Sequence, residues 1–215
     1  MPLPRGMAAL AILWIVAGFA TTVGARTPIQ PTSGAYTPEV RTFLALLAFG
    51  GCVLWPVGRI TLVQGAFGTR RAALDTVTLL VLLQAIFWPT HLVTSWSLER
   101  ALAIDALLCG WTCCAGACVA LATQRARPRS IWAIAVAEAA VAGALLDAAG
   151  VGAPIPEVLG PFAALIALAP LGAGGSTNVQ WAMAAWPWAL AAACWALALR
   201  DRPGAAAVAP GNAFR

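Results

Sequence analysis

Residues 150–180 read GVGAPIPEVLGPFAALIALAPLGAGGSTNVQ and separate two long apolar runs, residues 131–149 and 181–199. Four prolines and a glycine cluster interrupt this stretch, and the longest apolar run that they leave is residues 162–169. A helix needs about 20 apolar residues to cross a bilayer, so this run is too short to cross by itself. We therefore expect a broken hairpin over residues 150–180, either re-entrant or lying on the membrane surface.

The composition indicates that lipid is the solvent of this chain. Of its 215 residues, 61% are hydrophobic and 10% are charged, whereas a soluble domain carries about 25% charged residues. Too few charged side chains are present to cover the surface of a soluble domain of this size. The sequence therefore predicts an all-α integral membrane protein with one transmembrane domain over residues 1–215.

Six apolar runs are predicted to be transmembrane helices. They are residues 7–25, 42–57, 72–90, 101–123, 131–149 and 181–199. The first run has an alternative interpretation as a cleaved signal peptide, because Arg5 precedes it and the small-residue site Val23-Gly24-Ala25 ends it. Residues 58–71 connect the second and third spans. They could include a short helix in the membrane interface, with one side buried by Ile60, Leu62, Val63 and Phe67.

The arginines predict the orientation of these helices. All 13 basic residues are arginine, and cytoplasmic loops carry an excess of positive charge. With the amino terminus inside, ten arginines lie on inner segments and only Arg26, Arg41 and Arg100 lie outside. This distribution favours six spans, both termini in the cytoplasm and a multi-pass protein of the bacterial inner (plasma) membrane.

Several classes of function are not expected from this sequence. The arginines form short clusters between apolar runs, which disfavours a nucleic-acid-binding face. The six cysteines lie inside apolar runs and predict no disulfide framework. No phosphate-binding loop, nucleophile motif or paired-carboxylate site is present, and the single histidine, His91, is a poor basis for a metal site. We expect no cofactor and no bound metal.

Ionisable residues inside apolar runs are candidates for function because burying a charge in a membrane is costly. Glu138 falls near the middle of the fifth span and is the sharpest case. Asp75 lies near the inner end of the third span, where it could reach water or pair with Arg70 or Arg71. Asp105 lies one turn into the fourth span, where Arg100 or His91 could pair with it.

Two residue types have patterns that favour structural roles. Five of the ten tryptophans fall near predicted span ends, as in an interfacial belt; they are Trp55, Trp88, Trp96, Trp181 and Trp186. Cys109, Cys113, Cys114 and Cys118 lie in the fourth span among glycines and alanines. Such small residues are typical of a face on which membrane helices pack closely.

The chain resembles the permease subunit of type-two ATP-binding-cassette transporters, in the group that includes gliding-motility and copper-maturation exporters. The predicted six spans with a broken outer hairpin before the last one are similar to that family, as is the segment GAFGTR at residues 65–70. Pro161, Pro170 and the proline inside the last span, Pro187, add to the resemblance. Two features depart from it: only six residues precede the first span, and Gln64 stands where an acidic residue is usual.

This resemblance implies a permease that works with a separate ATPase subunit in a homo- or hetero-oligomer within the lipid bilayer. Glu138, Gln84 and Asp105 are then candidates for the translocation path. The candidates for the ATPase contact are the arginines of the inner connections, Arg59, Arg70, Arg71, Arg125, Arg127 and Arg129. The alternative is a non-catalytic structural or assembly subunit of a larger membrane complex. A membrane enzyme that uses His91 and the acidic residues is a third, weaker hypothesis.

Overall fold

A computed structural model describes residues 5–25, 34–62, 68–124, 129–152, 155–170 and 175–200, and within these ranges every regular element is helical. The helices are α1 (Arg5–Thr21), α2 (Thr37–Phe49), α3 (Trp55–Leu62), α4 (Thr69–His91), α5 (Leu98–Gln124), α6 (Arg129–Ala148), α7 (Ile155–Leu159), α8 (Pro161–Leu168) and α9 (Asn178–Arg200). A π-helical turn, Gly50–Leu54, joins α2 to α3 without a break.

Five helices in the described part of the chain are long and apolar enough to cross a membrane. They are Thr37–Leu62, Thr69–His91, Leu98–Gln124, Arg129–Ala148 and Asn178–Arg200. The predicted all-helical, multi-pass architecture is thus confirmed. The first predicted span, residues 7–25, overlaps α1, a shorter apolar helix of 17 residues that is not among these five. At 1.5 Å per residue α1 is about 26 Å long, slightly less than a hydrocarbon core of about 30 Å.

The second span is longer than the predicted residues 42–57, because its helix runs continuously over Thr37–Leu62. Pro56 does not stop it. The π turn just before Pro56 widens the helix, with the Trp55 N–H bonded to the carbonyl of Gly50, and this gives space to the proline ring. Residues 58–62 therefore continue this helix and do not start a separate one, with Ile60 fully buried as expected and Leu62 80% exposed. Residues 63–67 lie outside the described residues.

The central helix is α5. Of its 18-residue apolar stretch, 78% is buried inside the bundle, whereas the corresponding share in the four other long helices is 22–33%. It runs antiparallel to α4, because Gln84 bonds to Asp105 near one end while Gln124 bonds to Thr69 at the other. It runs parallel to α9. Three tryptophans of α9 donate hydrogen bonds to α5, and each donor lies 82 residues after its acceptor in the sequence. Only parallel helices keep this sequence separation constant along their length.

The short helices α7 and α8 pack on the bundle rather than standing apart from it. Gly160, between them, lies against α6, where an added β carbon would come within 3.0 Å of the carbonyl oxygen of Ala140. The ring of Phe162 lies near that of Phe49 in α2, with the centroids 6.4 Å apart and the ring planes tilted by 44°. Most of α8 is buried, including Leu165 and Leu168. Its eight residues extend for about 12 Å.

Candidate functional site

The first polar site joins α3 to α4 through a buried ion pair. Arg59 places a guanidinium nitrogen 2.6 Å from a carboxylate oxygen of Asp75, whose side chain is fully buried. The sequence predicts that Asp75 reaches water or pairs with Arg70 or Arg71. This prediction is wrong, because the main partner of Asp75 is a different arginine. Arg70 and Arg71 are exposed, although the charge of Arg71, one turn before Asp75, also acts on this carboxylate. The continuation of the second helix to Leu62 brings Arg59 to this position.

The second polar site joins α4 to α5 and contains two of the predicted path residues. The Gln84 amide donates to a carboxylate oxygen of Asp105 at 2.6 Å and lies 3.2 Å from the Cys109 sulfur. The indole of Trp88 donates to the Gln84 side-chain oxygen at 2.7 Å. Asp105 therefore pairs with an amide across the helix interface, and the expected pairing with Arg100 or His91 is wrong. Hydrogen bonds thus connect the four side chains in one partly buried cluster.

Glu138 lies apart from both sites. The buried residues of α6 are Ala133, Val136, Ala140 and Gly143, and Glu138 lies on the opposite, exposed side of the helix. It forms no hydrogen bond or ion pair with any residue that the structure describes. Ile131, Ile134 and Leu145 share its face and are 55–64% exposed. The structure thus places a carboxylate in the middle of an apolar helix face that points away from the bundle.

Arg100 is a buried anchor for the segment around α8. Its side chain is 6% exposed, and its guanidinium donates to the carbonyls of Leu168 and Gly175. Beside it, the Trp96 indole donates to the carbonyl of Pro170 at 2.9 Å. Arg100, which was predicted to lie in the connection before the fourth span, belongs to α5 instead. The side chains of Arg100 and Trp96 are buried because α8 folds back over the start of α5.

Tryptophan indoles join the helices at several further points. Trp14 of α1 donates to the carbonyl of Leu46 in α2, and Trp186 of α9 donates to that of Val158 in α7. The main series is Trp181, Trp188 and Trp195, which donate to Glu99, Ala106 and Cys113. Their seven-residue spacing is visible in the sequence and is the repeat of two parallel helices that pack along one seam. It is the signal that could have predicted the α5–α9 pair.

An apolar cavity of about 550 Å³ lies between α1, the α2–α3 helix and α4, with Thr112 of α5 at its base. Leu10, Leu54 and Leu83 are among its lining residues, and Arg59 also reaches it. The aromatic side chains of Trp14 and Trp55 form part of its wall. The cavity therefore adjoins the Arg59–Asp75 ion pair.

The predicted ATPase-contact arginines divide into three groups. Arg70, Arg71 and Arg129 lie at the starts of α4 and α6. Arg59 is engaged with Asp75, while Arg125 and Arg127 lie outside the described residues. In the part of the chain that the structure describes, no group of three His, Cys, Asp or Glu side chains is arranged to hold a metal ion. Comparison with protein families, curated proteins and solved structures finds no match to this chain.

Proposed function

We propose that this chain is the membrane-spanning permease subunit of an ATP-driven transporter, and that it works with a separate ATPase subunit. The observation that carries the proposal is the position of Glu138. A charged side chain at the bilayer centre costs about 2.5–3.5 kcal/mol on insertion scales. Such residues usually face protein or water. Glu138 faces away from the bundle, and the described residues of this chain offer it no partner and no polar cavity. A neighbouring subunit and a polar path at the interface with it would supply both.

In this proposal the translocation path lies between subunits and not inside one bundle. Glu138 would line the path, with Ile134 and Leu145 forming the surrounding apolar contact. Gln84 and Asp105 would act differently. Their cluster joins α4 to α5, so a movement of either helix would change the hydrogen bonds among these side chains.

The proposed topology has six spans, with α1 as the first and both termini in the cytoplasm. Support comes from the direction of the helices. Because α9 runs parallel to α5, and α6 follows α5 after a short connection, the chain would leave α6 and enter α9 on the same side of the membrane. Residues 150–180 would then form a re-entrant hairpin, with Gly160 packed on α6 as its turning point.

The ATPase would bind where the inner connections meet. Gln124 and Thr69 bond to each other, so the start of α4 and the end of α5 lie at one end of the bundle. Arg70, Arg71 and Arg129 lie at this end and would contact the ATPase, together with Arg125 and Arg127. Arg59 would transmit movement from this contact to α4 through its ion pair with Asp75.

The alternative is a structural or assembly subunit of a larger membrane complex. One observation favours it. Hydrogen bonds connect the side chains of Gln84, Asp105, Trp88 and Cys109 across α4 and α5, which is typical of a fixed interface between helices.

The test is to purify the full chain with its partners in a mild detergent, after placing a photo-reactive amino acid at Ile134. A matched position, Val81, is similarly exposed on α4. We expect a cross-link from position 134 to a membrane protein, little from position 81, and an ATP-hydrolysing subunit in the purified assembly. Replacement of Arg70 and Arg71 by alanine should release that subunit. A cross-linked assembly without any ATPase would support the structural alternative and contradict the permease.

A further inference from the structure

We infer that the outward face of α6 binds a membrane helix of a different protein, and that this helix carries a lysine or an arginine opposite Glu138. The inference rests on the part of the proposed function that places a neighbouring subunit at Glu138, and it names the chemistry of that subunit. Three observations support it: the arrangement of the exposed side chains on α6, the contrast between Glu138 and other carboxylates inside helices, and the positions of the arginines.

The exposed side chains of α6 form a seam that fits a second helix. The large apolar residues that α6 exposes are Ile131, Ile134 and Leu145. Together with Glu138 they are spaced by three, four and seven residues, which keeps them on one side of the helix, opposite its buried residues. This is the spacing of the positions in a heptad repeat that pack into a neighbouring helix. The pattern therefore favours a helix as the occupant of this face.

Glu138 differs from the two other carboxylates that lie well inside a long helix in the described part of the chain. Asp75 is paired with Arg59, and Asp105 accepts a hydrogen bond from the Gln84 amide. Each of them thus has a donor within the bundle, whereas Glu138 is exposed and has none among the described residues. Carboxylates at membrane depth pair with other groups or face water. A cation on the neighbouring helix supplies the strongest partner, because hydrogen bonds between ionised groups are the strong ones.

A second copy of this chain offers no such cation at the depth of Glu138. Glu138 lies nine residues after the start of α6 and ten before its end, so it is about 14–15 Å from either end. The chain contains no lysine, and its one histidine, His91, ends α4. Arg59 and Arg100 are held inside the bundle by the contacts described above. The other described arginines lie within four residues of a helix end; they are Arg5, Arg41, Arg70, Arg71, Arg129 and Arg200.

Two copies that met symmetrically through this face would also place Glu138 against Glu138. Two carboxylates at one site disfavour each other's charged form. Charge complementarity therefore selects a helix from another chain, with a basic residue near its middle.

The experiment measures the binding of synthetic membrane helices to the full chain in phosphatidylcholine vesicles, by energy transfer from its tryptophans to a label on the peptide. The peptides are leucine–alanine helices of about 20 residues, with lysine, glutamate or norleucine at the centre. Glu138→Gln removes the charge of the chain, and Glu138→Lys reverses it. The control is Val81→Glu/Glu138→Gln, which moves the carboxylate to a similarly central, exposed position on α4 without the seam of α6.

We expect the wild type to bind the lysine peptide about tenfold more tightly than the norleucine peptide, the size of a polar contact between membrane helices. Glu138→Gln should lose this preference, and Glu138→Lys should prefer the glutamate peptide. The control should lose most of the preference. Equal binding of the lysine and norleucine peptides by the wild type would overturn the inference. A preference in the control as large as that of the wild type would overturn it too, because charge alone would then explain the binding. If Glu138→Gln fails to fold, Glu138→Lys still decides the outcome.

A photo-reactive amino acid at Ile134 tests the second copy in the same vesicles. We expect no cross-linked dimer of the chain. Such a dimer would overturn the inference but not the permease, since two copies can also enclose a path. An assembly purified without any ATPase would contradict the permease and not this inference, which the peptides decide by themselves.

Discussion

The carbonyl oxygen of Pro156 lies 2.1 Å from the point at which Gly143 would carry a β carbon. No side chain fits between α6 and α7 at this crossing. Gly160 approaches the same part of α6, where its added β carbon would lie 3.2 Å from the backbone nitrogen of Gly143. Gly143 and Gly160 thus allow the segment of α7 and α8 to pack directly on the backbone of α6.

Replacing Gly143 with alanine should displace α7 and α8 from α6. The new methyl group overlaps a backbone atom, which cannot rotate away, so we expect a loss of about 1–3 kcal/mol of stability, as for other overpacked sites. Thermal unfolding in detergent, followed by tryptophan fluorescence, measures this loss. Gly152→Ala is the control, because an added β carbon at Gly152 meets no atom within 4 Å. An unchanged unfolding temperature in Gly143→Ala would contradict this packing.

Breaking the Arg59–Asp75 pair should destabilise the bundle strongly. Asp75→Leu leaves the Arg59 charge without its buried partner, and loss of one member of a buried pair costs about 3–5 kcal/mol. The double variant Arg59→Leu/Asp75→Leu removes both charges and should recover much of that loss. The measurement is the midpoint of unfolding for the single, double and wild-type proteins. A double variant no more stable than Asp75→Leu would show that the pair is not coupled.

The tryptophan series of α9 should stabilise the folded protein through hydrogen bonds of its indole N–H groups. Trp188→Phe removes the hydrogen bond to the carbonyl of Ala106, for which we expect a loss of about 0.5–1.5 kcal/mol. Trp111→Phe is the comparison, since the Trp111 indole N–H has no hydrogen-bond partner within the described residues. Trp111 is 9% exposed and Trp188 is 44% exposed, so removal of one ring alone should cost more at Trp111. A loss in Trp188→Phe that is equal or larger therefore assigns the excess to the hydrogen bond, and a clearly smaller loss would contradict it.

Arg100→Gln should loosen the segment around α8 while leaving α5 and α9 paired. The change removes a buried guanidinium that holds the carbonyls of Leu168 and Gly175, and hydrogen bonds to charged groups contribute about 1.5–3 kcal/mol. We expect faster amide hydrogen exchange over residues 161–168, measured by mass spectrometry. Arg41→Gln is the matched control, because Arg41 makes only a 3.4 Å bond to Ile166 in the same segment. Similar exchange in both variants would contradict the anchoring role of Arg100.

The polar contacts show where prediction from sequence succeeds and where it stops. Gln84 and Asp105 were predicted as candidates for one path, and the structure brings them into contact. Glu138 was grouped with them, but it lies on the exposed face of α6, apart from their cluster. Residue type and depth along a helix are visible in a sequence. The direction in which a side chain points depends on which neighbours each helix packs against.

Composition and run lengths alone determined that this is an all-helical, multi-pass membrane protein, because in lipid every backbone group must be satisfied within a helix. They also determined that residues 162–169 are too short to cross. Only the tertiary structure decided that Asp75 pairs with Arg59, that Arg100 and Trp96 are buried, and that α9 runs parallel to α5. The physical reason is that the apolar pattern specifies how long a helix is. Close approaches at glycines and single hydrogen bonds between helices specify which helices meet.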